Sequence, residues 1–197
     1  MEINLTTDTL VWLRRDLRLE DNNAILKAQT MGQNFAICFI FDKNILNPLK
    51  SDQFSIKDSD GYTIDNRIYF IYRSLQELDE KLKKIGSCLI LKYGFPSKVI
   101  PELVKKFQIK NLICSDDYEP AAISRDNEIK KIVSKNLVNF ISVKDQCVFE
   151  KTEILSQSGN PYTVFSPYKK TWYEKFFSTY SLNLRKKKID LSEKILK

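Results

Sequence analysis

Apolar and polar positions alternate along this chain in two distinct rhythms. Five short, nearly unbroken apolar runs are "TLVWLR" (9–14), "FAICFIF" (35–41), "SCLILKY" (87–93), "IKNLICS" (109–115) and "LVNFISV" (137–143). All five have the length of strands, and "FAICFIF" is the continuous apolar run expected of a strand buried on both faces. Between them the apolar positions step by three and four. The clearest case runs through Ile64, Ile68, Ile71, Leu75, Leu78, Leu82 and Ile85, one helical stripe closed by Gly86. Asp21 stands where an N-cap belongs for a helix over "NNAILKAQTMG", closing near Gly32. "PSKVIPELVKKFQ" predicts a short helix with Pro101 in its first turn, and "EPAAISRDNEIKKIVSK" predicts one that opens at Pro120. The stretch from Asp42 to about Thr63 reads as a polar loop.

Strands that alternate with helices predict an α/β domain: a Rossmann-like, three-layer arrangement with a five-stranded, mostly parallel sheet flanked by helices. In such sheets ligands bind in the crevice at the carboxyl ends of the strands. Arg14 and Arg15, Asp42, and Asp116 to Glu119 each follow a strand directly, so the topology should gather them on that edge. After the fifth strand the character changes. "QCVFEKTEILSQSGNPYTVFSPYKKTWYEKFF" is loop-like and rich in aromatics, with one helix expected after Pro167.

Composition narrows the chemistry. An apolar fraction of 43% over 197 residues suits one folded domain with a real core. The net charge of +7 is uneven, because residues 181 to 197 hold six Lys or Arg against Asp190 and Glu193. That basic tail is a solvated terminal segment or a patch for nucleic acid. The chain has no histidine, which removes the Ser-His-Asp triad, the Cys-His pair and nearly every catalytic zinc site. Neither GxGxxG nor GxxxxGK[ST] occurs. Cys38, Cys88, Cys114 and Cys147 share no CxxC spacing and read as reduced thiols, three of them in strand runs as small hydrophobes. "MEINLTTDTL" is not a signal peptide and no apolar run reaches membrane-spanning length, so a cytoplasmic protein without membrane contact is expected.

Four ordered stretches then carry a resemblance. "LVWLRRDLRLEDNNAI" resembles the signature that opens the N-terminal α/β domain of the photolyase/cryptochrome family. "DNRIYFIYRSLQELDEKLKKIGSCLILKYGFPSKVIPEL", "DDYEPAAISRDNEI" and "FEKTEILSQSGNPYTVFSPYKKTWYEKF" are similar to its later segments, in order. The resemblance implies such a domain over residues 1–177, with 178–197 as the start of an interdomain linker. It implies that the FAD-binding helical domain, which would follow, lies outside this chain. In that family the whole protein is a light-driven carbon–carbon lyase acting on UV-damaged DNA, or a blue-light receptor. This domain alone is expected to be non-catalytic, and to hold an antenna chromophore of the 8-hydroxydeazaflavin or FMN type. By position in the family pattern, Arg15, Phe39, Phe41, Asp42, Asp117 and Glu119 would line that pocket. A folate antenna is disfavoured, since Ala121 and Ala122 stand where its site resembles an Asn-Glu pair. Arg14 and Asp16 read as an internal ion pair at the strand-to-helix turn, or as ligand contacts. Trp12 and Trp172 read as one core residue and one on a helix face. An aromatic face near Tyr162, Phe165, Tyr168 and Trp172 is expected to be exposed for the second domain. A free-standing nucleotide-binding module and a nucleic-acid binder that uses the basic tail are the readings from other classes.

Overall fold

The first strand of the chain is also the centre of its sheet. A computed structural model describes residues 7–31, 34–49, 55–57 and 63–180. β1 (Thr9–Leu13) is followed by α1 (Asn23–Thr30), β2 (Phe35–Asp42), α2 (Lys43–Leu49), β3 (Ser55–Lys57), β4 (Thr63–Asp65) and α3 (Asn66–Lys84). β5 (Leu89–Gly94), α4 (Pro96–Phe107), β6 (Asn111–Ser115), α5 (Pro120–Ser134), β7 (Asn139–Val143) and α6 (Phe165–Tyr180) complete the order. The main sheet runs β5-β2-β1-β6-β7 and every pairing in it is parallel. Strand order therefore reverses between β1 and β6, the switch point at which open α/β sheets form their crevice.

All five residues of β1 are buried, because their side chains point alternately into two cores. Leu10 and Trp12 pack with Cys38, Ile40, Ile100, Leu103 and Ile129 on the face covered by α4 and α5. Val11 and Leu13 pack with Ile25, Ile37, Phe39, Leu75, Leu78 and Leu82 on the face covered by α1 and α3. Cys38 and Cys114 lie in the first of these cores, and burial pushes the Cys114 thiol up to about 12 and the Cys38 thiol up as well. Cys88, read as a buried strand residue, is exposed because β5 starts only at Leu89.

Several expected boundaries move. Asp21 does not cap α1; its φ of 52° is left-handed, whereas a cap needs extended backbone. Asn22 supplies the cap, its Oδ1 accepting from Ala24 N at 3.0 Å and Ile25 N at 3.1 Å. Gly32 lies outside the described residues. The expected loop from Asp42 contains α2 and the antiparallel pair β3-β4. α2 buries none of its residues, so it leaves no apolar period to read. Ile64 belongs to β4 rather than to the helical stripe, and the helix starts at Asn66. α4 opens at Pro96, the start of the stretch read as a helix, so Pro101 lies in the second turn rather than the first, where a missing N–H costs more. α6 begins at Phe165 and places Pro167 inside its first turn. The basic tail lies outside the described residues.

Two glycines are required. Gly86, at φ 79°, ends α3 in a left-handed turn in which Ser87 N donates to Leu82 O at 3.0 Å. Gly94 closes β5 against α4, and a Cβ there would meet Val99 Cγ2 at 2.7 Å. Gly94→Ala is therefore expected to lower stability by about 1–3 kcal/mol in urea unfolding.

The cap of α3 predicts a pH effect. Asp65 accepts from Arg67 N at 2.8 Å and pairs with Arg67 Nη2 at 2.7 Å, and these bonds lower its pKa to about 2. In the unfolded chain the same carboxyl titrates near ~3.9. Its stabilisation is thus complete above that value and is lost as pH falls through the folded one. Melting temperatures measured from pH 5 to pH 2 (roughly the range bracketing both values) should show an acid limb that Asp65→Asn flattens.

Candidate functional site

The carboxyl ends of β1, β2 and β6 present charged residues above apolar walls, and two cavities open between them. The first, of about 250 Å³, sits over β1 and β2. Trp12, Phe39, Phe41, Ile45, Leu46, Ile71 and Pro96 form its walls, with Arg14, Arg15, Asp42, Asp117 and Arg125 at its rim. Phe39 and Phe41 meet edge to face with centroids 5.1 Å apart. Of the six residues read from the sequence as pocket-lining, five line this one cavity. The sixth, Glu119, is exposed and reaches it through Arg15, whose Nη2 lies 2.6 Å from Glu119 Oε2.

Arg15 and Asp117 form the hinge of the site. Asp117 is almost fully buried and lies 3.4 Å from Arg15 Nε, while the Arg15 side chain stays 55% exposed. The hydrogen bond to Glu119, and after it the charge of Asp117, raise the guanidinium pKa against the lowering effect of burial. The group is thus a permanent cation with a partly free face. Asp42 has another task. Its Oδ1 accepts from Asn44 N at 2.8 Å, so the carboxylate opens α2 while lining the cavity.

Arg14 does not pair with the Asp16 carboxylate as an ion pair. Its Nη1 lies 2.7 Å from Asp126 Oδ1 and its Nη2 donates to Ser115 O, crossing β6 to reach α5. Asp16 turns back instead and serves the loop. It accepts from Arg14 N at 2.9 Å, Ser115 Oγ at 2.7 Å and Asn22 Nδ2 at 3.2 Å. A carboxylate that satisfies three neutral donors in a buried turn does more there than it would beside an already paired guanidinium.

Trp12 is a core residue, 2% exposed, and it also forms a cavity wall. The guanidinium carbons of Arg14 and Arg125 lie 5.0 and 5.1 Å from its ring centroid. Arg125 Nη2 is buried 2.9 Å from Asp126 Oδ1 without the alignment of a hydrogen bond. Sequence reading missed Trp12, Arg125 and Asp126 as neighbours of the site, because α5 brings the last two from more than a hundred residues away. Ala122 is buried in α5 packing while Ala121 is exposed, which gives the pair a helix role.

The second cavity, of about 340 Å³, lies on the β6 and β7 side of the same arginine. It shares Arg14, Arg15 and Asp117 with the first and adds Asp16, Arg18, Ser115, Asp145 and Gln146. Arg18 does not bond the Asp21 carboxylate. It donates to Asp21 O at 2.7 Å and to Asp145 Oδ2 at 2.8 Å, and Asp145 also accepts from Asn23 N at 3.0 Å. Beyond β7, α6 carries the aromatic face. Phe165, Tyr168, Tyr173 and Phe177 are exposed, while Tyr162 and Trp172 are half-buried. Trp172 stacks on Phe176 at 5.0 Å. Among the described residues no cluster of His, Cys, Asp and Glu could hold a metal ion, and no helix is long and apolar enough to cross a membrane.

Known proteins are similar to this chain in sequence and fold. The deoxyribodipyrimidine photo-lyase of Synechococcus sp. is 31% identical over 163 residues, covering 83% of this chain and 31% of that protein. The (6-4)DNA photolyase of Arabidopsis thaliana is 28% identical over 151 residues, covering 77% of this chain and 27% of the plant protein. The chain thus spans about a third of the length of these relatives or less. Among solved structures, the archaeal photolyase of Sulfolobus tokodaii, described with two FAD molecules that imply a novel light-harvesting cofactor, superposes with a TM-score of 0.64. It is 27% identical, over 82% of this chain and 34% of its own. The Synechocystis cryptochrome, 21% identical, shares the fold at a TM-score of 0.69 over 85% of this chain and 33% of its own. The DNA photolyase family model matches residues 9–187, and this chain belongs to that family, as its N-terminal α/β domain.

Proposed function

We propose that this chain is the antenna domain of a deoxyribodipyrimidine photolyase, holding a planar chromophore of the deazaflavin or flavin type. The observation that carries the reading is the apolar cavity walled by Trp12, Phe39 and Phe41 with the Arg15 cation at its rim. A flat aromatic ring bearing carbonyl or anionic oxygens fits those residues: stacking surface on the walls, and a guanidinium fork for the oxygens. When bound, such a group supplies absorption of near-ultraviolet or blue light. The chain's own part is to exclude water from the ring, fix its orientation and neutralise its polar edge.

Light energy gathered here would pass to FAD in a helical domain that follows in the longer relatives, where damaged DNA would also be engaged. The exposed aromatic side of α6 supports that arrangement, with Phe165 at 71% and Phe177 at 55% exposure. Aromatic side chains left in water in this number mark a surface built to be covered. By itself the domain would not repair DNA.

An absorption spectrum of protein purified from its own source tests the reading. A structured band between about 300 and 500 nm that survives desalting is expected, and its position separates deazaflavin from flavin. Protein that stays colourless after incubation with either chromophore would overturn it.

A further inference from the structure

Trp12 is a hazard in a wall that holds a light-absorbing ring. Indole is among the most easily oxidised side chains, and a photoexcited flavin-type ring in contact with it takes an electron from it. The electron then returns and both groups are restored, so the absorbed light ends as heat instead of passing on. Among the described residues that line the apolar cavity there is no Tyr, Cys or Met, so Trp12 is the one ready electron donor there.

The surroundings of Trp12 oppose that loss. The guanidinium carbons of Arg14 and Arg125 lie over its ring, 5.0 and 5.1 Å from the centroid. A cation so placed is attracted by the neutral indole, yet it repels the positive charge that oxidation would put on the ring. Asp126 pairs with both arginines, at 2.5 Å from Arg14 Nη1 and 2.9 Å from Arg125 Nη2. One carboxylate shared by two cations leaves the trio a net charge of +1. All three side chains are mostly buried, so water screens that charge weakly.

The fold does not need the second cation for its ties. Arg14 already joins β1 to β6 and α5, through Ser115 O and Asp126. Arg125 Nη2 is buried without a hydrogen-bond partner, which costs stability instead of adding it. Its place beside the indole is explained by what its charge does to the ring.

We propose that Arg14 and Arg125 hold the Trp12 indole hard to oxidise, so that it walls the antenna site without quenching the ring bound against it. The inference rests on the antenna reading. Trp12 is then a stacking surface alone, and Arg125 is a positioning residue that acts through it.

The test is the fluorescence lifetime of riboflavin or 5-deazariboflavin bound to the full chain. Native and Trp12→Phe proteins should give lifetimes that differ by less than about threefold, because the indole is already held back. Arg125→Gln removes one cation and should shorten the lifetime about tenfold, since the charge enters the electron-transfer rate exponentially. Arg125→Lys keeps the charge and should keep the native lifetime. Trp12→Phe added to Arg125→Gln should restore it, which a defect of packing alone would not allow. Should Arg125→Gln lose its fold, the comparison of native with Trp12→Phe still decides. A Trp12→Phe lifetime more than about threefold longer than the native one would overturn the proposal. So would an Arg125→Gln lifetime equal to the native one. Either result leaves the antenna reading intact, because the probe is bound. Failure of both probes to bind the native chain would overturn that reading, and this inference with it.

Discussion

Arg15→Ala is expected to strip the domain of its chromophore while leaving it folded. In the native site the guanidinium offers a fork to the ligand edge, already pre-set by Asp117 and Glu119. Charge-assisted bonds of this kind contribute about 1.5–3 kcal/mol each, so affinity should fall about 100-fold. Stability should change far less. The Arg15–Glu119 pair is exposed on both sides, and such pairs are worth about 0–1 kcal/mol. Asp117 keeps one partner, the amide of Glu119 at 3.3 Å. Arg15→Lys should lose most of the affinity too, because a point charge cannot replace a planar fork. Equilibrium dialysis with the chromophore and a thermal melt separate the two effects. An Arg15→Ala protein that still purifies coloured would remove this residue from the binding set.

The opposite outcome is expected one residue along. Asp16 is 5% exposed, and its carboxylate satisfies the Arg14 amide, the Ser115 hydroxyl and the Asn22 amide. Asp16→Ala takes the acceptor from the Arg14 amide and the Ser115 hydroxyl at the turn between β1 and α1, while Asn22 Nδ2 keeps the carbonyls of residues 16 and 18. The cost should be about 3 kcal/mol, with a melting temperature lower by roughly 6–12 °C for a domain of this size. The chromophore site should survive in whatever fraction remains folded. Melts at several urea concentrations check the prediction, and a change below about 1 kcal/mol would place the burden of the turn elsewhere.

These two neighbours mark where sequence reading works and where it stops. β1, β2 and β6 were legible because they are buried on both faces, which leaves apolar runs, while the edge strands β5 and β7 are partly exposed and were legible through their flanking helices and turns. α3 was legible through Leu75, Leu78 and Leu82, which face one core at helical spacing. α2, β3 and β4 were not, since α2 buries no side chain and the two strands have three residues each. Asp21 and Asn22 are equally good caps by composition, and only the left-handed backbone at Asp21 decides between them. At the site, residues that directly follow strands could be placed from topology alone. Their partners could not. Asp126 and Asp145 are acids in polar stretches, indistinguishable in sequence from solvated ones, and they meet Arg14 and Arg18 only through the packing of α5 and the segment after β7.

The position of β1 at the middle of the sheet also governs how the chain comes to be folded. Thr9 pairs with Phe35 on one side and with Asn111 on the other, a separation of about a hundred residues. Neither core can close around β1 until β6, which supplies Leu112 and Cys114 to one and Ile113 to the other, has left the ribosome. Until then, one edge of an apolar strand stays open to other chains. Closing so long a loop is slow, and the parallel pairing it completes has no local shortcut. The arginines and acids that crowd the end of β1 would keep that waiting edge in solution during synthesis, well before they have a ligand to hold.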